Sequence, residues 1–274
     1  MKTRIISGLI YSIFLVAILI INVEIVDTIV IFAISAIGMY EYMKAFKTAG
    51  YNPVSWVGYI GCLGLFAMGG IIQNGEKIMY LRVFLPIAII LLFIYAILTN
   101  LKTNIMDIMI TCFSLVLIPF MFSFMKLVLL MEHGRIILLY VLFGAFASDI
   151  FAYFIGSKFG KKKLCPNISP KKTVEGSVAG IIGVVVSYIV LTIISNNYFG
   201  LSINFMVIII SGVIIAVIGQ FGDLTASAIK RFCKIKDFGS IMPGHGGILD
   251  RFDSVMFVAP IVYILFKFFL GFWC

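Results

Sequence analysis

The chain has 274 residues, of which 62% are hydrophobic and 12% charged; its mean hydropathy is +1.15 and its formal charge +9. Soluble domains are typically about 45–50% apolar and about 25% charged, so a water-soluble globule is excluded and a polytopic membrane protein is expected. The apolar runs are far longer than the roughly 9–11 residues of a membrane β-strand and do not alternate, which excludes a β-barrel. The five cysteines lack C-x-x-C spacing, so neither a disulfide framework nor a zinc site is indicated.

A membrane helix needs about 20 apolar residues. In chain order the sequence predicts spans over 5–21, 25–43, 54–73, 79–98, 105–130, 136–156, 174–194, 203–221 and 252–272. The expected fold class is therefore all-α, a polytopic helical membrane bundle of about nine transmembrane helices. The first run follows Lys2 and Arg4 as a signal peptide would. Asn22–Asp27 offers no small-residue cleavage site, however, and the run reads as a retained helix. The fifth contains Pro119 and Lys126 and is expected to kink or tilt.

Nine spans put the N-terminus on the same side as the loops after spans 2, 4, 6 and 8. That side collects Lys2, Arg4, Lys44, Lys47, Lys102, Lys158, Lys161, Lys162, Lys163, Lys171, Lys172, Lys230, Arg231, Lys234, Lys236 and Arg251, sixteen of the 21 basic residues. The opposite side has Lys77, Arg82, Arg135 and Lys267, and Lys126 lies within the fifth span. The positive-inside rule then places the two richest loops in the cytoplasm. No internal repeat is evident. Residues 1–134 form an N-terminal region of mostly plain apolar spans, 1 to 5. Residues 135–274 form a second region, spans 6 to 9 with cytoplasmic loops 157–173 and 223–251, which holds nearly all the unusual polar residues.

Three constellations carry chemistry. Ser148, Asp149, Ala152 and Tyr153 share one face of the sixth span, with Gly156 and Gly160 beyond. Asp149 sits about two turns inside the membrane, where a carboxylate is costly unless paired, protonated or wetted. It reads either as a buried structural acid or as part of a site, and intramembrane ionisable groups are functional by default. Gly156-x-x-x-Gly160 is a weak signal that helix packing alone explains.

The loop 157–173 carries six lysines and no acid. Topology and attraction to anionic lipid account for Lys161–Lys163. They account less well for Ser169-Pro170-Lys171-Lys172-Thr173 with Glu175, where Ser169-Pro170 is expected to turn the chain and present two ammonium groups to phosphate oxygens.

The third constellation is the segment 222–254. Ser227, Lys230, Arg231 and Lys234 fall on one face of an expected short helix. Pro243-Gly244-His245-Gly246-Gly247 requires irregular backbone that lets N–H groups approach anions closely. Asp223 and Asp250 flank this segment, and carboxylates with water and phosphate oxygens form the usual Mg²⁺ shell. The bland reading is that Asp250 and Asp253 cap the last helix and pair with Arg251. His245 reads as a metal ligand, a general acid or a loop hydrogen-bonder.

These residues resemble the signature of the phosphatidate cytidylyltransferases, the CDP-diacylglycerol synthases. The resemblance rests on Ser227-x-x-Lys230-Arg231, Lys236-Asp237, Pro243-Gly244-His245-Gly246-Gly247 and Asp250-Arg251-x-Asp253. It extends to Gly222-Asp223-Leu224, Ser148-Asp149-x-x-Ala152-Tyr153 and Ile168-Ser169-Pro170-Lys171-Lys172-Thr173-x-Glu175-Gly176, with no departure at a motif position. It covers about residues 148–254; the first half is similar only in being helical and apolar.

The resemblance implies that CTP and phosphatidic acid give CDP-diacylglycerol and pyrophosphate. It also implies Mg²⁺ with a second cation allowed, nine spans, and a homodimer in the inner membrane whose site faces the cytoplasm. Asp223 and Asp250 match the family's metal-binding aspartates, and Asp149, Lys171, Lys172, Lys230, Arg231 and His245 match positions near its site. We expect Lys171, Lys172, Lys230 and Arg231, with Gly246 and Gly247, to meet phosphates. Membrane lipids are expected partners and nucleic acid is not.

The nearest alternatives are a CTP-dependent kinase of a lipid alcohol and a cytidylyltransferase for another lipid phosphate. A CDP-alcohol phosphatidyltransferase is disfavoured because its signature opens with Asp-Gly, a pair this chain lacks. Asp107, Lys126 and Asp149 are compatible with an ion path, but the polar residues concentrate in loops rather than at the midplane, against a transporter.

Overall fold

The computed structural model describes residues 21, 23–71, 77–100, 103–241, 244 and 246–272. Almost all of the expected first span, His245 and Pro243 lie outside the described residues. Among the described residues there are eight helices: α1 (Glu24–Thr48), α2 (Ser55–Ile71), α3 (Lys77–Leu98), α4 (Ile105–Leu129), α5 (Gly134–Phe159), α6 (Val174–Phe199), α7 (Phe205–Phe232) and α8 (Leu249–Phe269). A hairpin of β1 (Lys163–Cys165) and β2 (Ser169–Thr173) lies between α5 and α6.

Helices dominate because a bilayer offers no water to backbone N–H and C=O groups, so each span must bond its own backbone. Six of them, α1 and α4 to α8, are long and apolar enough to cross a membrane. The chain is a multi-pass, all-α membrane protein. α2 and α3 fall where the third and fourth spans are expected. The expected kink in the fifth span corresponds to a π-helical turn, Val116–Phe120, within α4. It surrounds Pro119, whose ring has no N–H to give to the helical ladder.

The chain divides into two compact units, Met1–Lys126 with Phe232–Arg251 and Leu127–Arg231 with Phe252–Cys274. In the first unit, buried charges have local partners. The Lys126 ammonium meets the Glu24 carboxylate at 3.0 Å. Asp107 closes a capping box on α4 with Asn104 and also accepts from the Asn52 N–H at 2.7 Å. Both acids and the lysine are thus accounted for without an ion path.

In the second unit, α5 and α6 approach along small residues. A Cβ at Gly176 would lie 2.8 Å from the Ala152 carbonyl oxygen, one at Gly156 would lie 3.2 Å from Gly176 Cα, and one at Gly160 would lie 2.5 Å from Thr173 Oγ1, just before α6. The Gly156-x-x-x-Gly160 pattern therefore does pack helices. Deeper in this unit, Tyr188 donates to the Tyr140 carbonyl at 2.6 Å, and the Tyr140 hydroxyl lies 3.0 Å from that of Thr192.

Two local expectations change. The turn of the basic loop is Pro166–Ile168, closed by Ile168 N–H to Cys165 O at 3.2 Å, while Ser169-Pro170 opens β2. Proline presets the backbone angle a turn needs, and a two-stranded ribbon has edges that tolerate the missing donor of Pro170. No separate short helix carries Lys230 and Arg231; α7 continues through Gly222 to Phe232. Gly222 is a contact glycine there, since a Cβ would come within 2.9 Å of the Asp253 carbonyl oxygen.

Candidate active site

The second unit contains a cavity of roughly 470 Å³ where the β1–β2 hairpin meets α5, α6 and α7. One wall is small-residue helix surface from Ala152, Gly156 and Gly176. The hairpin contributes Lys163, Lys171 and Lys172, and Asp149 and Gln220 complete the lining. Asp149 is exposed to this opening, which is how a carboxylate is tolerated at its depth in α5.

The hairpin is held in place by backbone and side-chain bonds. Thr173 caps α6 by accepting from the Gly176 N–H at 3.2 Å. Glu175 accepts from the Lys162 N–H through both carboxylate oxygens, at 3.2 and 3.3 Å. Arg231, in the last turn of α7, donates its Nε–H to the Ile168 carbonyl at 3.1 Å and so ties the turn to the helix. Adjacent strand residues point to opposite faces, yet both Lys171 and Lys172 line the cavity. Lys172 additionally forms an ion pair with Asp223.

Three carboxylates of this unit share one neighbourhood. Asp253 is buried and stands within electrostatic reach of Asp223 and Asp149, and of Lys230. Its Oδ1 accepts from the Ser254 N–H at 2.7 Å. Asp253 thus belongs with the other acids of the second unit. In the sequence Asp253 reads either as a helix cap paired with Arg251 or as part of the polar site.

Gln220 was also missed. Its Nε2 donates to Ser177 O at 3.0 Å and Ser148 Oγ at 3.3 Å, while its Oε1 accepts from the Ser177 hydroxyl. One amide thereby joins α5, α6 and α7 at the cavity. The available signal was a lone amide one turn before Asp223 in an apolar run.

Asp250 lies in the first unit, and its Oδ2 accepts from the N–H groups of Phe238 and Gly247 at 2.8 and 2.9 Å. It therefore closes the loop 238–247 onto the start of α8. Gly246 has φ +85°, a conformation other residues rarely adopt, in keeping with the irregular turn expected there. Gly247 is buried.

The model of the family described as "Cytidylyltransferase family" matches residues 2–269. The chain belongs to the cytidylyltransferase family. It is 32% identical to a phosphatidate cytidylyltransferase of Bacillus subtilis over 98% of both chains. A phosphatidate cytidylyltransferase of Thermotoga maritima is 38% identical over 56% of this chain and 57% of its own. One of Staphylococcus haemolyticus is 37% identical over 62% of this chain and 64% of its own.

As a cytidylyltransferase, the chain needs cations for nucleotide phosphates and a route to them. Of the basic groups of the second unit, Lys163, Lys171 and Lys172 line the cavity, while Arg231 is engaged with the hairpin turn through Ile168. Among the described residues, no three His, Cys, Asp or Glu side chains converge to hold a metal ion by themselves. Magnesium does not require that many: it keeps several waters and takes one or two carboxylates with substrate phosphate oxygens. Asp223, about a fifth exposed and beside a lysine, is chemically suited to be such a carboxylate.

Proposed function

We propose that this chain transfers the cytidylyl group of CTP to phosphatidic acid, giving CDP-diacylglycerol and pyrophosphate. The observation that carries this reading is the lysine-lined cavity in the second unit, opening beside apolar helices in a cytidylyltransferase. The protein works as a homodimer in the inner membrane, with the cavity reached by CTP from the cytoplasm and by lipid from the bilayer.

An oxygen of the lipid phosphate attacks the α-phosphorus of CTP. A new P–O bond forms, the α–β bridging bond breaks, and pyrophosphate leaves with its electron pair. The nucleophile is already ionised near neutral pH, so neither a covalent enzyme intermediate nor a strong base is required. The obstacle is the approach of two anions. Lys171, Lys172, Lys230 and Arg231 offset that repulsion and stabilise charge on the departing pyrophosphate. Asp149, which lines the same cavity, would orient a lysine there or contact the metal. Arg231 also keeps the hairpin, and hence its lysines, in place through Ile168.

We assign Asp223 to Mg²⁺, and Asp250 to a metal by motif correspondence alone; the ion would add fixed positive charge against the phosphates. Gly246 and Gly247 are assigned to phosphate contact and His245 to the site on the same correspondence.

The test is purified protein with CTP, Mg²⁺ and phosphatidic acid. Pyrophosphate should appear in step with CDP-diacylglycerol. Release of CDP instead would mean a lipid kinase, and no CTP turnover by folded protein would overturn the proposal. In the same assay Lys171→Ala should lose at least tenfold more rate than Lys162→Ala, since only Lys171 lines the cavity. Equal mild losses would reduce the hairpin to a merely basic loop.

A further inference from the structure

Glu41 lies in α1, in an otherwise apolar stretch, and is 1% exposed. Its Oε1 accepts from the Ile248 N–H at 3.0 Å and its Oε2 from the Leu249 N–H at 2.8 Å. Those groups open α8, whose first N–H groups have no helical carbonyl to bond. A buried carboxylate with both oxygens engaged by N–H donors is a satisfied group, held far more firmly than an exposed one. The surrounding backbone is fitted to it. A Cβ on Gly239 would lie 2.2 Å from Glu41 Oε1, and one on Gly247 would lie 2.4 Å from the same atom. Both ends of the loop therefore close around this carboxylate, and Asp250 clasps the same loop through Phe238 and Gly247.

We propose that Glu41 is a positioning residue for the reaction: it fixes the backbone at Ile248 and Leu249, packs against Gly239 and Gly247, and thereby holds Gly246, Gly247 and Asp250 in place. It touches no substrate and acts through the backbone N–H groups of Ile248 and Leu249. The inference rests on the proposed function for its catalytic consequence, whereas the grip on the segment stands on geometry alone. In the sequence Glu41 is 207 and 208 positions from the groups it binds, so no local pattern announces the contact.

Two variants perturb the contact from opposite sides. Glu41→Gln keeps one acceptor oxygen and turns an NH₂ group toward an N–H. Gly239→Ala leaves Glu41 intact and drives a methyl into it. Both are read by hydrogen exchange of peptides covering 238–250, with α6 peptides as control, and by kcat, KM for CTP and the Mg²⁺ concentration giving half-maximal rate.

We expect exchange in 238–250 to speed up about tenfold while α6 stays unchanged. We expect kcat per folded protein to fall about tenfold and the Mg²⁺ half-point to rise. A protein that had merely lost folded fraction would change amplitude without moving that half-point. Wild-type exchange in both variants would overturn the grip. Faster exchange with kcat and the Mg²⁺ half-point within twofold of wild type would make Glu41 a fold contact only and overturn the positioning role. If wild-type protein releases no pyrophosphate, the functional reading fails by itself and the exchange data still decide the grip.

Discussion

Lys172 and Asp223 form an ion pair in the candidate site whose strength follows from its surroundings. The lysine side chain is 26% exposed and the aspartate side chain 21%, so the pair is screened much less than a surface bridge. Exposed pairs contribute about 0–1 kcal/mol; hydrogen bonds to charged groups contribute about 1.5–3 kcal/mol. Replacing Lys172 by Met and Asp223 by Asn, singly and together, should give a coupling of about 1.5–2 kcal/mol by equilibrium unfolding in mixed micelles. The two single variants should differ. Lys172→Met leaves Asp223 partly buried beside Asp253, with Asp149 also near that acid. Asp223→Asn removes one member of that repelling set. Lys172→Met should therefore cost more stability than Asp223→Asn, although both should lower pyrophosphate release by at least tenfold, or about 1.4 kcal/mol of barrier. A coupling under about 0.5 kcal/mol would show that the pair behaves as an ordinary surface bridge. The reverse order of stabilities would refute the reading of Asp253, Asp223 and Asp149 as mutually repelling.

Gly160→Ala should lower the Tm of the purified protein and cost about 1–3 kcal/mol, because the new methyl meets the Gly156 carbonyl oxygen at 2.3 Å and Thr173 Oγ1 at 2.5 Å. An unchanged Tm would mean that the α5–α6 seam yields easily there. For topology, single cysteines at Asn167 and Asn197, in a background cleared of the five native ones, should label from opposite sides of intact cells. Asn167 should react with an impermeant thiol reagent only after the cells are opened, and Asn197, exposed in the last turn of α6, should react from outside. Labelling from one side would show that α6 does not cross.

Much of this architecture could be read in advance, because bilayer chemistry leaves few choices. An uninterrupted apolar run must be a helix, and a carboxylate inside one must be satisfied somehow. Hence α1 and α4 to α8 fall on expected spans, and Asp149 and Lys172 are found at a cavity. The hairpin was harder. Pro166 and Ser169-Pro170 could each turn the chain, and only the Ile168–Cys165 bond selects Pro166. The length of α7 was misjudged for a related reason. The expected eighth span ends at 221, ahead of the charge of Asp223, whereas the helix runs on to Phe232 and the missing Cβ of Gly222 makes room for the Asp253 backbone.

Intramembrane acids look alike in sequence but are satisfied in two physically different ways. Glu41 and Asp107 are met by backbone N–H donors on both oxygens. Such acids act as fixed caps, with their hydrogen-bonding capacity directed at the fold. Asp149 instead opens onto the cavity, and Asp223 meets a flexible ammonium group that a phosphate can compete for. Lysine carries its charge on a long, rotatable stem, so exchanging Asp223 for phosphate needs only side-chain motion. Releasing Glu41 would require the start of α8 to move. Asp250 would combine the two situations: one oxygen is committed to Phe238 and Gly247, while the proposed function assigns the residue to a metal. Asp250→Asn separates these duties, because Asn keeps an acceptor for the loop but loses the charge. Normal exchange in 238–250 with lost turnover would assign Asp250 to chemistry, and lost protection in that segment would assign it to the fold.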